Sequence, residues 1–195
     1  MGLSLTTSQV GTLVKVPNSD CKTLRVYFPG HAQELELKGS VPQKREREWA
    51  EALLKSENYK LAAAITTSTC PTLILGDSIK TIKASEIASQ LTESEAISIE
   101  LYSHSGGYVG MNASLEMWEE NEFSKVKKIV LLDNFYSSAL ASTLKEKFGD
   151  KLKQMCKGFY TPHNADRFKS YYSKICPNVD SKGKSEHKTA VRLYF

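Results

Sequence analysis

Apolar and polar positions along this chain change period repeatedly, from two to between three and four and back, and the changes mark an alternation of strands and helices. Residues 24–28 are rich in apolar and aromatic side chains and stop at Pro29-Gly30, which predicts a strand running into a turn. Residues 43–55 then gather Trp49, Ala50, Leu53 and Leu54 on one helical face against a charged opposite face. Residues 61–65 predict a short buried strand, ended by a Thr/Ser cluster and Cys70-Pro71. Residues 71–81 carry no decisive period, and Leu73 to Leu75 are expected to pack beneath the next helix. From Lys83 onward Ala84, Ile87, Ala88 and Leu91 recur at helical spacing, after which Ile97, Ile99 and Leu101 switch to a period of two. A turn at 103–107 leads into Tyr108, Met111, Leu115 and Trp118, spaced as on a helix. Residues 126–132 predict a strand that is almost continuously apolar at its end, as in a parallel sheet covered on both faces. The pattern closes with a helix at 139–148 ended by Gly149, a strand at 155–161, a helix at 166–174 and a short helix at 188–195.

This order predicts an α/β fold: one domain over residues 1–195, a mostly parallel sheet between helical layers, joined by right-handed crossovers. Residues 1–20 read as an N-terminal strand or extension. A chain of 195 residues, 41% hydrophobic and 25% charged, suits a single domain with a core large enough to carry a cleft. No run approaches the roughly 20 apolar residues of a membrane span. The first eleven residues lack a basic start followed by an apolar core, which predicts a cytoplasmic protein, or a secreted or periplasmic one whose signal peptide has been removed.

The net charge of +4 conceals an asymmetry, because residues 145–195 hold 12 basic and 5 acidic side chains, net +7, while residues 1–144 are net −3. That excess could steer an anionic substrate, although Lys145, Lys147, Lys151 and Lys153 interleave with Glu146 and Asp150 as on a solvated helix. No RNA-binding motif, zinc finger or recognition helix is present, so a nucleic-acid partner is not expected. Cys21, Cys70, Cys156 and Cys176 include no Cys-x-x-Cys pair and do not suggest zinc. Their even number permits two disulfides in three connectivities, with Cys156 and Cys176 bracketing a short segment, or four free thiols. Asn112-Ala113-Ser114 fits a glycosylation sequon but falls inside a predicted helix, and the Met1 to Thr6 match to a myristoylation pattern is too short to carry weight.

In a parallel sheet, function collects at the carboxyl ends of the strands, which directs attention to the loops at 29–33, 103–108, 133–138 and 161–166 and to the segment before the last helix. The stretch Ser103-His104-Ser105-Gly106-Gly107 joins a strand to a helix through a sharp turn. A serine at the tip of such a turn is lifted off the sheet, and small residues two before and two after it let the strand and helix backbones pass. This stretch resembles the nucleophile elbow of the α/β-hydrolases, written G-x-S-x-G, with Ser103 in place of the first glycine. Glu100, in the strand leading to it, is a charge where a buried strand predicts none. The resemblance implies a compact α/β-hydrolase without a cap domain, in which Ser105 is the nucleophile of a serine hydrolase acting on an ester or amide through an acyl-enzyme. No cofactor is implied.

Serine needs a base to take its proton and a group to hold that base. The family order of serine, acid, histidine places the base downstream of Ser105, where His163 and His187 are the two histidines. His187, directly before the last helix, matches the family position by chain order, while His163 falls where the acid loop usually lies. For the acid the resemblance offers Asp133, at the end of strand 126–132, with Asp166 as the alternative one strand later. Asp166 also suits a helix N-cap. The oxyanion hole would draw one N–H from Gly106 and a second from His31 or Ala32, in the loop after the first strong strand. An open cleft would suit an exposed or polymeric substrate. A catalytically silent α/β-hydrolase fold used for binding is the alternative, since a fold does not determine a function. A phosphate site on the Gly106 and Gly107 N–H groups is a third reading, but the chain lacks a longer glycine fingerprint and a P-loop lysine.

Overall fold

The computed structural model describes residues 4–7, 11–15, 19–28, 30, 70–75 and 98–181. The helices expected at 43–55, 83–91 and 188–195 and the strand expected at 61–65 lie outside the described residues. The strands are β1 (Ser4–Thr7), β2 (Gly11–Lys15), β3 (Thr23–Phe28), β4 (Thr72–Leu75), β5 (Ser98–His104), β6 (Val126–Leu132), β7 (Cys156–Tyr160) and β8 (Asn178–Ser181). The described helices are α1 (Tyr108–Met117), α2 (Glu120–Phe123), α3 (Ser138–Phe148), α4 (Leu152–Met155) and α5 (Ala165–Tyr171).

One eight-stranded sheet runs in the order β1-β2-β4-β3-β5-β6-β7-β8. The first two strands are antiparallel to each other and β2 is antiparallel to β4. From β4 through β3, β5, β6, β7 to β8 every pair is parallel. The α/β class and the mostly parallel sheet therefore hold. Within residues 1–20, expected to be a strand or extension, the described segments 4–7 and 11–15 form a pair of strands at one edge. Residues 72–75, expected to lie under a helix, form β4 instead: all four are buried, and β2 and β3 flank them on either side. A second unexpected strand, β8, pairs with β7 and ends the described sheet.

Alternation along the strands sorts the side chains onto two faces. Leu24, Val26, Phe28, Leu101, Ile129 and Leu131 point to one face and join Met111 and Leu115 of α1 and Leu140 and Leu144 of α3 in the main core. Ser137 caps α3 by accepting from the Leu140 N–H at 3.2 Å, and Gly149 ends it with φ +53, a conformation that favours glycine. The helix expected at 166–174 is shorter and stops at Tyr171, where the chain turns toward a disulfide-bonded Cys176.

The other face carries Tyr27, Tyr102, Val130 and Leu132, all buried, and a polar row that accounts for Glu100. The register sets Arg25, Glu100 and Lys128 side by side on β3, β5 and β6. Glu100 Oε2 accepts from the Tyr102 hydroxyl at 2.6 Å and from Arg25 Nε at 3.3 Å, and lies 3.8 Å from Lys128 Nζ. One carboxylate thus sits between two cations, the cross-strand arrangement that stabilises charged pairs in a sheet. Burial lowers the Lys128 pKa from its ordinary value, against the opposing pull of Glu100. Burial and the hydrogen bond to Glu100 raise that of Tyr102.

Two disulfides, Cys21–Cys70 and Cys156–Cys176, are present, with Cα separations of 5.0 and 5.1 Å. Each joins the beginnings of two neighbouring parallel strands, β3 to β4 and β7 to β8. Strands in a sheet lie about 4.8 Å apart, so this position suits the reach of a disulfide without bending either strand.

Candidate active site

Strand β5 ends at His104, whose backbone is extended, and Ser105 then turns to φ +50 as the first residue of a 3-10 turn over Ser105–Gly107. Helix α1 begins directly after it at Tyr108. A serine has no special tolerance for positive φ, so the surrounding packing holds this backbone where it is. Part of that packing is Gly30, two residues beyond β3. A Cβ built on Gly30 would lie 3.0 Å from Ser105 Cβ, 3.1 Å from His104 Nδ1 and 3.2 Å from the His104 carbonyl oxygen. The chain leaving β3 therefore passes directly against the serine turn. His31 and Ala32 follow at once in sequence and lie outside the described residues. Gly106 is half-buried within the turn.

Ser103 is fully buried, and its hydroxyl accepts from Asn134 Nδ2 at 2.6 Å. A glycine here would leave that amide without this acceptor, which gives the serine a structural reason. The partner comes from the residue after Asp133, so the ends of β5 and β6 are tied side chain to side chain.

Asp133 leaves the end of β6 with φ +44 and is 1% exposed. Its N–H donates to the Phe159 carbonyl at 3.0 Å. Its Oδ1 accepts from the Thr161 N–H at 2.8 Å and from Asn164 Nδ2 at 2.9 Å, and the Thr161 hydroxyl lies 3.0 Å from both carboxylate oxygens. A carboxylate buried this deeply is tolerated because the donors of the β7 loop surround it. Asp166 occupies a different setting, exposed in the first turn of α5. His163 is exposed within the 3-10 turn Pro162–Asn164, and His187 lies outside the described residues.

These loops enclose a cleft of about 510 Å³. Ser105, Gly106 and Tyr108 line it from the β5 side, and Asp133 and Phe135 from the end of β6. Thr161, His163 and Asn164 close it from the end of β7. The structure thus brings Ser105, Gly106, Asp133 and His163 to one cavity, and Asp166 is not among its lining residues. Sequence reading missed Asn134, Thr161, Asn164 and Phe135, although the loops that carry them were marked by their position after strands. Among the described residues no group of three or more His, Cys, Asp or Glu side chains is placed to hold a metal ion, and no helix is long and apolar enough to cross a membrane.

No protein-family model matches the chain, and no curated protein matches it in sequence. Solved structures do match its shape. It is similar to poly(aspartic acid) hydrolase-1 from Sphingomonas sp. KT-1, with a TM-score of 0.54 and 11% identity over 99% of this chain and 96% of that one. It is also similar to a predicted CIB-like hydrolase from Thermoplasma acidophilum, with a TM-score of 0.51 and 11% identity over 98% and 92% of the two chains. The chain has the α/β-hydrolase fold. A further match, to carboxylesterase CesB from Bacillus subtilis, has a TM-score of 0.48 and 12% identity over 98% of this chain and 86% of that one. In this α/β-hydrolase fold the cleft opens at the carboxyl ends of β5, β6 and β7, three neighbouring strands of the parallel part.

Proposed function

We propose that this protein is a serine hydrolase cleaving an ester or amide bond, with Ser105 as nucleophile, His187 as base, Asp133 as the acid that orients His187, and the N–H groups of Gly106 and of His31 or Ala32 as the oxyanion hole. The observation that carries this reading is Ser105 itself: a serine at positive φ on the tip of a strand-to-helix turn, opening into the cleft that Asp133 also lines. Ser105 Oγ attacks the substrate carbonyl as its proton passes to His187 Nε2, and the negative oxygen that forms is met by the N–H groups. Collapse of that intermediate returns the proton to the departing alcohol or amine and leaves an acyl group on Ser105. Water, deprotonated by His187, then releases the acid and restores the serine.

Chain order supports His187 as the base. It follows the end of β8 by six residues, and β8 lies two strands from β6. Two strand spacings are about 10 Å and six extended residues reach about 20 Å, so a connection from β8 to the Asp133 carboxylate is within the length of the chain. The close approach of Gly30 to Ser105 supports the second oxyanion donor, since the next two residues continue from the point of contact. The two disulfides favour an oxidising compartment, and with it a secreted or periplasmic protein.

The test is covalent labelling by a fluorophosphonate, expected for the wild type and absent in Ser105→Ala. Labelling that survives Ser105→Ala, or a folded wild type that does not label, would overturn the assignment. His163 is a second reading for the base because it lines the cleft with Ser105. Loss of labelling in His187→Ala with retention in His163→Ala supports the first, and the opposite pattern supports the second. Hydrolysis of short p-nitrophenyl esters at equal rates by wild type and Ser105→Ala would instead favour a binding protein on a hydrolase fold.

A further inference from the structure

The part of the cleft wall contributed by the end of β6 carries an unusual pairing. Phe135, which lines the cavity, is 47% exposed, and the guanidinium carbon of Arg167, itself outside the lining, stands 3.4 Å from its ring centroid. At that separation, the contact distance of two carbon atoms, the planar guanidinium can only lie flat on the ring. Tyr108, another lining residue, stacks on Phe135 at 6.1 Å with 14° between the planes, so the ring is held from the α1 side as well. Stacking occupies the face of the guanidinium and leaves its edge, where the N–H donors lie, free to hydrogen-bond. Among the described residues that edge meets no carboxylate and no hydrogen-bond acceptor.

The surroundings leave the cation in force. Among the described residues Asp133 is the one acid lining the cleft, and its Oδ1 is engaged by the Thr161 N–H and the Asn164 amide. Asp166 precedes Arg167 on α5, and consecutive helical residues do not face one another. A planar cation stacked on a lining residue, with its donors unused, is an arrangement that recognises a carboxylate by paired hydrogen bonds. We infer that Arg167, seated on Phe135, is a specificity-determining residue that binds a carboxylate on the substrate, so that the favoured substrates are esters or amides of carboxylate-bearing molecules. This rests on the serine hydrolase reading of the same cleft.

The experiment compares kcat/KM for matched esters. p-Nitrophenyl hydrogen glutarate against p-nitrophenyl butyrate places a carboxylate on the acyl side, and 4-acetoxybenzoate against phenyl acetate places one on the leaving group. In one pair or both, the ratio of anionic to neutral ester is expected to fall roughly tenfold in Arg167→Met, the scale of a charge-assisted hydrogen bond at a partly exposed site. Arg167→Lys, which keeps the charge but not the planar fork, is expected to recover only part of it. Ratios within twofold of the wild type in both pairs would overturn the inference while leaving the hydrolase reading intact. If the wild type turns over none of these esters, calorimetric binding of glutarate and of 4-hydroxybenzoate decides, and a wild type that also fails to label with fluorophosphonate loses the hydrolase reading. Weakening of roughly tenfold in Arg167→Met for either ligand supports a carboxylate site. Equal affinity in both proteins, or no binding to the wild type, overturns it.

Discussion

Replacing Asp133 with asparagine and with alanine separates what its shape contributes from what its charge contributes. Asparagine can keep an oxygen at the Oδ1 position, where the Thr161 N–H and Asn164 Nδ2 donate, and present its amide where the Thr161 hydroxyl can accept. What it loses is the charge on the acceptor, which changes each of two buried bonds from the charge-assisted to the neutral class, about 1 kcal/mol apiece and about 2 kcal/mol in total. Alanine removes the acceptor altogether. The Thr161 N–H and the Asn164 amide, on residues 9% and 6% exposed, are then left unpaired, at about 1–3 kcal/mol each, so that roughly 4 kcal/mol is expected. Urea unfolding followed by tryptophan fluorescence, to which Trp118 in the core contributes, measures both values. Equal destabilisation by the two substitutions, or less than about 1 kcal/mol for alanine, would refute the account of the carboxylate as the acceptor that binds the β7 loop to β6. Labelling under native conditions reads the other role. Asparagine is expected to slow it by roughly 10⁴-fold in protein that remains folded, the scale seen when the orienting acid of a serine triad is made neutral. Unchanged labelling would remove Asp133 from that role and turn attention to Asp166.

Gly158→Ala is expected to cost more than about 3 kcal/mol, because Gly158 has φ +141 and a Cβ there would overlap the Leu131 carbonyl oxygen, a backbone atom of the adjacent strand. An unchanged urea midpoint would refute it. Stability is expected to fall on the alkaline side: burial raises the pKa of both Tyr102 and Tyr172, so both stay protonated in the folded chain while the unfolded chain loses those protons near pH 10. Their stabilisation is complete below pH 10 and is lost as the pH rises toward the folded values, and tyrosinate absorbance of native protein should lack at least two of the nine tyrosines until it unfolds. Full titration of all nine without unfolding would contradict it. Removing the Cys156–Cys176 bond, of sequence separation 20, should cost about 3 kcal/mol, and removing Cys21–Cys70, of separation 49, about 4 kcal/mol. The order of the two, measured in paired Cys→Ser variants, checks the loop-length argument.

What could be read from the chain was set by how local the cause was. The strand at 126–132 and the helix over 108–117 announce themselves because their apolar positions repeat within the element. Residues 72–75 do not, since four buried residues in a row fit a strand and a buried helical turn equally, and their placement between β2 and β3 decides. The last strand is mostly polar and exists through pairing with β7. Glu100 looked out of place because the two cations that accommodate it stand on other strands, 75 residues before it and 28 after. The cleft shows the same division. Ser105 and Asp133 follow strands and could be marked from position, whereas Thr161 and Asn164 matter through bonds spanning 28 and 31 residues, which no local pattern records.

The two disulfides turn the β3-to-β4 and β7-to-β8 connections into covalently closed rings, both fastened at the starts of the strands, opposite the ends that carry the cleft. A single protease cut between residues 22 and 69, or between 157 and 175, would therefore not release a fragment. The nicked chain would migrate as one species until reduced.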